Sequence, residues 1–405
     1  MKAGCEKPAL MPKWYDRWMF DWETRLTAVD TNRVVRPLEW GIEWTDRWPC
    51  RDGLAPGELP ADPERYLRAY NERIAANSDE FFGYRPPGDF RLEERPVQVF
   101  STRARPEPEL EEKVKGQRGQ FLRFTSPVAT PFPENNLVNA RWFPAVGKRA
   151  VVVLPHWNAN GLQYNSLCSI LNRVGIAALR MSLPYHDIRR PAEIQRSDYA
   201  VSSNIARTLD SARQGVIDLR CCLDWLESQG YSELGVIGTS LGSCYAFLCA
   251  AHEPRIKVAA FNHASTYFSD VVWTGQSTRH VKEGLEQHVS EDRLRDLWRA
   301  ASPAAYFDKY ARFSRKSLII FATYDLTFLP KFSKNIIAEF RSRGLDLKAV
   351  ELPCGHYTCG EPPFSYMDGW HLVTFVRAAF RSGASSTIIS TSAGLDSRKA
   401  RKLIG

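Results

Sequence analysis

No run of apolar residues in this 405-residue chain is long enough to cross a bilayer as a helix, so no transmembrane segment is expected. The opening residues, Met1 to Pro8, lack the apolar core of a signal peptide; export is not expected and a cytoplasmic location is. A disulfide framework is missing too. Nine cysteines is an odd number, they are scattered, and Cys221 and Cys222 adjoin in a stretch that reads as helix. Reduced thiols follow. Cys354 and Cys359 flank His356, but no second ligand pair stands at zinc-like spacing, so no metal or other cofactor is expected. Nor is there the spread of positive charge that a nucleic-acid partner would need. Of the net +8, about half sits in Arg398-Lys399-Ala400-Arg401-Lys402, behind a Ser/Thr/Ala/Gly-rich stretch. Residues 383–405 therefore read as a mobile basic tail. Such a tail can touch anionic surfaces weakly, although a solvated charge run is its commoner meaning.

What is abundant is tryptophan, arginine and proline over residues 1–95. Trp14, Trp18, Trp22, Trp40, Trp44 and Trp48 recur at roughly helical intervals. Pro63 to Phe82 reads as a helix, with Asp62 as its cap and Tyr66, Tyr70 and Ile74 on one face. No flexible linker separates this region from the rest, so packing on the main domain is expected. The alternative is a partner-binding arm.

From Val97 the apolar period becomes two, and Val97–Ser101, Gly119–Ser126 and Asn136–Pro144 read as alternating strands. Arg149–Pro155 is continuously apolar, as a strand covered on both faces must be. Thereafter helices (161–174, 201–229 and 367–380 among them) alternate with strands at 176–183, 234–239, 257–262, 317–323 and 347–352. This predicts an α/β fold over residues 96–382, with a mostly parallel sheet and helices on both faces. Residues 268–301, containing Trp273 and Trp298, form an irregular insertion placed where a lid would be.

At the centre lies Gly238-Thr239-Ser240-Leu241-Gly242, a G-x-S-x-G pattern between a strand and a helix of small residues. A strand turning at once into a helix strains the serine and presses neighbouring segments together, so glycines are needed on either side. The turn exposes the hydroxyl and aims the Leu241 N–H where an oxyanion would form. A glycine turn in an ordinary α/β unit is the bland alternative.

Ligands of such sheets bind beyond the carboxyl ends of the strands. Those ends carry His156-Trp157-Asn158, Tyr185-His186-Asp187 with Arg189 and Arg190, then Ser240, His263, Asp325 and His356. Nucleophile, acid and histidine fall in the order Ser240, Asp325, His356. His356 would take the serine proton and Asp325 would fix its tautomer. His156, His186, His252 and His263 are set aside on chain position. Asp218 and Asp224 read as an exposed helix face. The second oxyanion donor is expected at the Trp157 or Asn158 N–H. His156, Tyr185, His186, Arg189 and Arg190 are candidates to line the pocket, the arginines binding an anionic group or else pairing with nearby acids.

These motifs resemble the α/β-hydrolase superfamily. More narrowly, Leu154-Pro155-His156-Trp157-Asn158-Ala159, Leu183-Pro184-Tyr185-His186-Asp187, the serine motif and the tryptophan-rich start resemble the group related to α/β-hydrolase domain-containing protein 18. The superfamily resemblance implies an eight-stranded core and a Ser240–His356–Asp325 triad. Where common esterases have His-Gly before the oxyanion donor, this chain has His156-Trp157. The expected activity is hydrolysis of a small-molecule or lipid carboxylic ester, or a thioester, through an acyl-serine. A catalytically inert binding protein and a small-peptide peptidase are the alternatives.

Overall fold

The apolar runs lie side by side in one sheet of the computed structural model. The structure describes residues 12–49, 54–55, 57–104 and 107–392, with side chains through Arg381. Among the described residues the strands are β1 (Arg91–Pro96), β2 (Arg118–Thr125), β3 (Leu137–Phe143), β4 (Arg149–Leu154), β5 (Ala177–Met181), β6 (Glu233–Thr239), β7 (Ile256–Asn262), β8 (Lys316–Ala322) and β9 (Leu347–Leu352). Their order is β1-β2-β3-β5-β4-β6-β7-β8-β9. From β5 to β9 every pairing is parallel, and β1, β2 and β3 add antiparallel neighbours at the front edge.

The sheet thus has nine strands, one more than the eight expected. The front strand is Arg91–Pro96, not Val97–Ser101. Its alternation is hidden by charge: Glu94 pairs with Arg118 of β2 at 2.7 Å and Glu93 with Arg123 at 3.5 Å. An edge strand facing water can carry such residues.

One face of the sheet is covered by the long helix Ile205–Ser228 and the helix Leu241–His252. The other is covered by the helix Asn165–Arg173, the C-terminal helix Phe364–Ser392 and Met19 of the N-terminal helix Lys13–Ala28. The C-terminal helix runs past the expected boundary at residue 383; residues 393–405 of the expected tail lie outside the described residues.

The first segment lies against the domain. Trp48 Nε1 donates to Asp210 Oδ1 of the long helix at 2.7 Å. Asp62 caps the helix Pro63–Ala76 by accepting the Arg65 N–H, and Leu67, Tyr70 and Ile74 are fully buried. Trp14 and Trp18 remain 68% and 43% exposed. The insertion at 268–301 is fastened to the same helix: Arg68 meets Asp296 at 2.7 Å, and Asn71 Oδ1 accepts the Ala300 N–H at 3.0 Å. Trp298 is buried, its Nε1 donating to Ile205 O at 3.2 Å.

Candidate active site

β6 runs through Thr239 and the next helix starts at Leu241, so Ser240 alone makes the turn, with φ 56° and ψ −118°. Its N–H donates to Asn262 O at the end of β7 (2.8 Å). The glycines are required by contact. A Cβ on Gly238 would lie 2.2 Å from Gly242 O, and one on Gly242 would lie 2.4 Å from Leu154 O. The absent side chains let the first helical turn press on the end of β4. Ser240 is 6% exposed, and its Oγ makes no hydrogen bond among the described residues.

Asp325 follows β8 and His356 follows β9. The His356 Nδ1–H donates to Asp325 Oδ2 at 3.0 Å. Asp325 Oδ1 accepts the N–H groups of Thr327 (2.8 Å) and Phe328 (2.6 Å). Phe328 stacks on the His356 ring, 5.4 Å between centroids. Burial alone would push the Asp325 carboxyl up, but the two neighbouring histidines hold it well below the usual range. It is a carboxylate that accepts three hydrogen bonds.

The second of those histidines is His263, excluded by the sequence reading because it follows the strand after the elbow. Its Nδ1 stands 2.8 Å from Asp325 Oδ2, and its ring centroid is 4.5 Å from that of His356. Chain order cannot reveal this: β7 and β8 are adjacent in the sheet, so their ends converge whatever the order of roles.

At the oxyanion side, the Leu241 N–H begins a helix and the Trp157 N–H lies in the turn after β4. Neither donates to an acceptor among the described residues. Asn158 is different, and the expectation that it might donate is corrected. Its N–H is spent on His186 Nε2 at 3.0 Å, and its side chain accepts the Ser197 N–H at 2.8 Å. His186 is fully buried, its Nδ1–H donates to Pro184 O, and burial pushes it down to about 4. It braces the turn after β4 as a neutral imidazole instead of lining a pocket. The Trp157 ring stacks on His280 of the insertion, 5.7 Å between centroids.

Other expected pocket residues are also redirected. Arg189 is fully buried; its guanidinium donates to Asn135 O and Ser182 O and meets Asp218 at 2.8 Å. No arm of it is left for a substrate. Asp218 is therefore a buried partner, not an exposed face, and Asp224 accepts from Tyr84 Oη. Arg190 Nη1 donates to Ser101 O at 3.0 Å and to Gln195 O at 2.6 Å. Tyr185 is buried against Phe132 and Tyr199. His156 is half-buried, its Nδ1 2.7 Å from Tyr164 Oη, and burial pushes it down to about 3.

The sequence offered no signal for Glu23. This fully buried residue of the N-terminal helix accepts the N–H groups of Tyr357 and Thr358, immediately after His356. Beside it, Tyr15 Oη donates to Pro353 O at 2.6 Å and Tyr324 Oη to Asp16 at 2.5 Å. One helix thus holds both the acid loop and the histidine loop.

An elbow serine on a mostly parallel sheet, with an acid and a histidine on the later strand ends, defines the class. The chain has the α/β-hydrolase fold. Residues 163–348 match the family model for alpha/beta hydrolase domain containing 18. The structure is similar to acetyl xylan esterase 1 from Thermoanaerobacterium sp. (16% identity, TM-score 0.51, covering 80% of this chain and 99% of that one). It is also similar to an acetyl xylan esterase from Paenibacillus sp. (12%, 0.51, 87% and 98%). An acylaminoacyl peptidase from Pyrococcus horikoshii matches at 11% identity and TM-score 0.50, over 66% of this chain and 42% of that one. At such identities the likeness speaks to the fold.

Proposed function

We propose that this protein is a serine hydrolase cleaving a carboxylic ester, of a small molecule or a lipid, or a thioester, through an acyl-serine. The observation that carries the reading is the directed His356–Asp325 hydrogen bond together with a strained Ser240 next to two unspent N–H groups. His356 Nε2 takes the Ser240 Oγ proton as the oxygen attacks the carbonyl carbon. The oxyanion forms between the Leu241 and Trp157 N–H groups. His356 then returns the proton to the leaving alcohol or thiol, and water repeats the sequence on the acyl-serine. The serine–histidine hydrogen bond forms in the substrate complex, where catalytic hydrogen bonds commonly reach their working geometry.

The test is a fluorophosphonate, with p-nitrophenyl acyl esters and peptide amides as substrates. Labelling is expected on Ser240 alone, with esters turned over and amides not. Ser240→Ala should abolish both while leaving the melting curve unchanged or higher, because an active-site residue is placed for function at some cost to stability. Undiminished hydrolysis by folded Ser240→Ala would end the reading. A wild type that never labels would mean an inert binding fold, and amide turnover would mean a peptidase.

A further inference from the structure

His263 ends β7 and is 2% exposed. Buried imidazoles are ordinarily neutral, because burial disfavours the charged form. The groups around this one reverse that. Asp325 faces it from the loop after β8 at 2.8 Å. Cys359 faces it from the turn after β9 and Asp368 from the C-terminal helix, while His356 and His156 are the basic groups nearby. Asp368 is pushed up to about 6 by burial and accepts from Asn262 Nδ2 at 2.9 Å, so near neutral pH it too is mostly ionised. Burial lowers His263, but the hydrogen bond and charge of Asp325 oppose it and raise the imidazole above its ordinary value; Cys359, pushed well above the ordinary thiol range, is a neutral neighbour.

The two contacts on Asp325 Oδ2 differ in kind. His356 meets it along the ring N–H, a directed bond that fixes the plane of the imidazole. His263 is closer, yet the oxygen lies off its N–H axis, so the contact is an ion pair and not a directed hydrogen bond. One histidine is oriented by the carboxylate; the other balances its charge.

We propose that His263 is a positioning residue that shares Asp325 with His356, balances the carboxylate's charge and sets the lower pH limit of hydrolysis. Resting on the serine-hydrolase reading, the argument is electrostatic. A fixed cation whose ring centroid is 4.5 Å from that of His356 opposes a second positive charge there. The charge on His263 lies close enough for its loss to be read in the pH dependence of Ser240 labelling. Because Oδ1 is held by backbone N–H groups, the carboxylate stays in place while its charge is divided.

The experiment records the rate of fluorophosphonate labelling against pH for wild type, His263→Gln, His263→Asn and His356→Ala, each with a melting curve. The His263 variants are expected to label Ser240, with the acid limb moved up by about one pH unit. His356→Ala should not label at all. An unmoved acid limb overturns the proposal. So does a folded His263→Gln that never labels beside a His356→Ala that does, which would make His263 the base. Should both His263 variants fail to fold, ring-nitrogen NMR of the wild type decides. At about pH 8, where ordinary histidines (about 6.5) are neutral, one imidazole should carry protons on both nitrogens. A wild type with only neutral imidazoles overturns the proposal. Loss of Ser240 labelling in the wild type itself would instead remove the underlying hydrolase reading, whatever the NMR result.

Discussion

Glu23 accepts the Tyr357 N–H at 2.9 Å, one residue beyond His356 and 334 positions away in the chain. The same carboxylate accepts the Thr358 N–H at 3.0 Å. Two backbone donors that would otherwise be buried without partners are satisfied by one side chain. Gly355 leaves room for it: a Cβ there would lie 2.3 Å from Glu23 Oε2. The loop presenting His356 is shaped by a carboxylate from the other end of the chain.

Glu23→Ala should therefore leave two buried N–H groups unpaired, at ~1–3 kcal/mol each. The loop then shifts, and a displacement near 1 Å at His356 lowers labelling of Ser240 by about a hundredfold. Measuring labelling rate beside thermal stability checks this; an unchanged rate would mean that His356 is held by Asp325 and Phe328 alone.

Gly242→Ala drives a methyl group into the Leu154 and Pro155 carbonyl oxygens, both backbone atoms with little room to move. We expect a loss of ~1–3 kcal/mol in stability. Labelling should fall by more than about a hundredfold, because the Leu241 N–H is displaced from the oxyanion position. Wild-type labelling in this variant would place the oxyanion elsewhere.

Arg189 and Asp218 should behave as a structural pair. Either Arg189→Met or Asp218→Asn strands a buried partner and is expected to cost about 3–5 kcal/mol. On an exposed helix face, as the sequence suggests for Asp218, the change to Asn would do little; its full burial against Arg189 reverses that. Chemical denaturation of both variants is the measurement, and a change under ~1 kcal/mol in either would show the pair to be dispensable.

Acid should loosen the oxyanion turn through His186. Burial depresses this histidine to about 4 in the folded protein, against about 6.5 unfolded. The unfolded chain therefore binds the extra proton first, and stability falls as pH drops from about 6.5 towards 4. The loss from this group approaches roughly 3 kcal/mol at the lower limit. His186→Gln, which cannot gain the proton, should flatten the curve in that window; an unchanged pH dependence of melting would remove His186 as its source.

Much of the fold was legible because burial on both faces leaves a plain mark: Val151 to Leu154 and Val236 to Thr239 could hardly be anything but central strands. That Ser240, Asp325 and His356 stand just beyond strand ends was legible for a different reason, since each follows an apolar run in the sequence. What stayed hidden depended on distance. Nothing near Glu23 distinguishes it from Asp16 or Asp21 on the same helix until that helix is laid against the residue 353–358 loop. His263 was in view at a strand end and was excluded by a rule about order, whereas charge pairing depends only on proximity. Arg189 and Asp218 misled because polar residues on a helix or loop usually face water; the helix Ile205–Ser228 is buried nearly all round.

The clasp of the N-terminal helix also dictates a sequence of events in folding. Its bonds to Pro353 and Tyr357 span 338 and 334 positions, among the longest separations in the molecule. Contacts of that span close late, because the intervening chain must first be ordered. A chain growing from its first residue would carry the Lys13–Ala28 helix, with its apolar face uncovered, until β9 and its following loop had formed. The histidine loop is thus completed by an early segment meeting a late one. Hydrolytic competence, read during refolding, should appear after the bulk of the sheet signal and not with it.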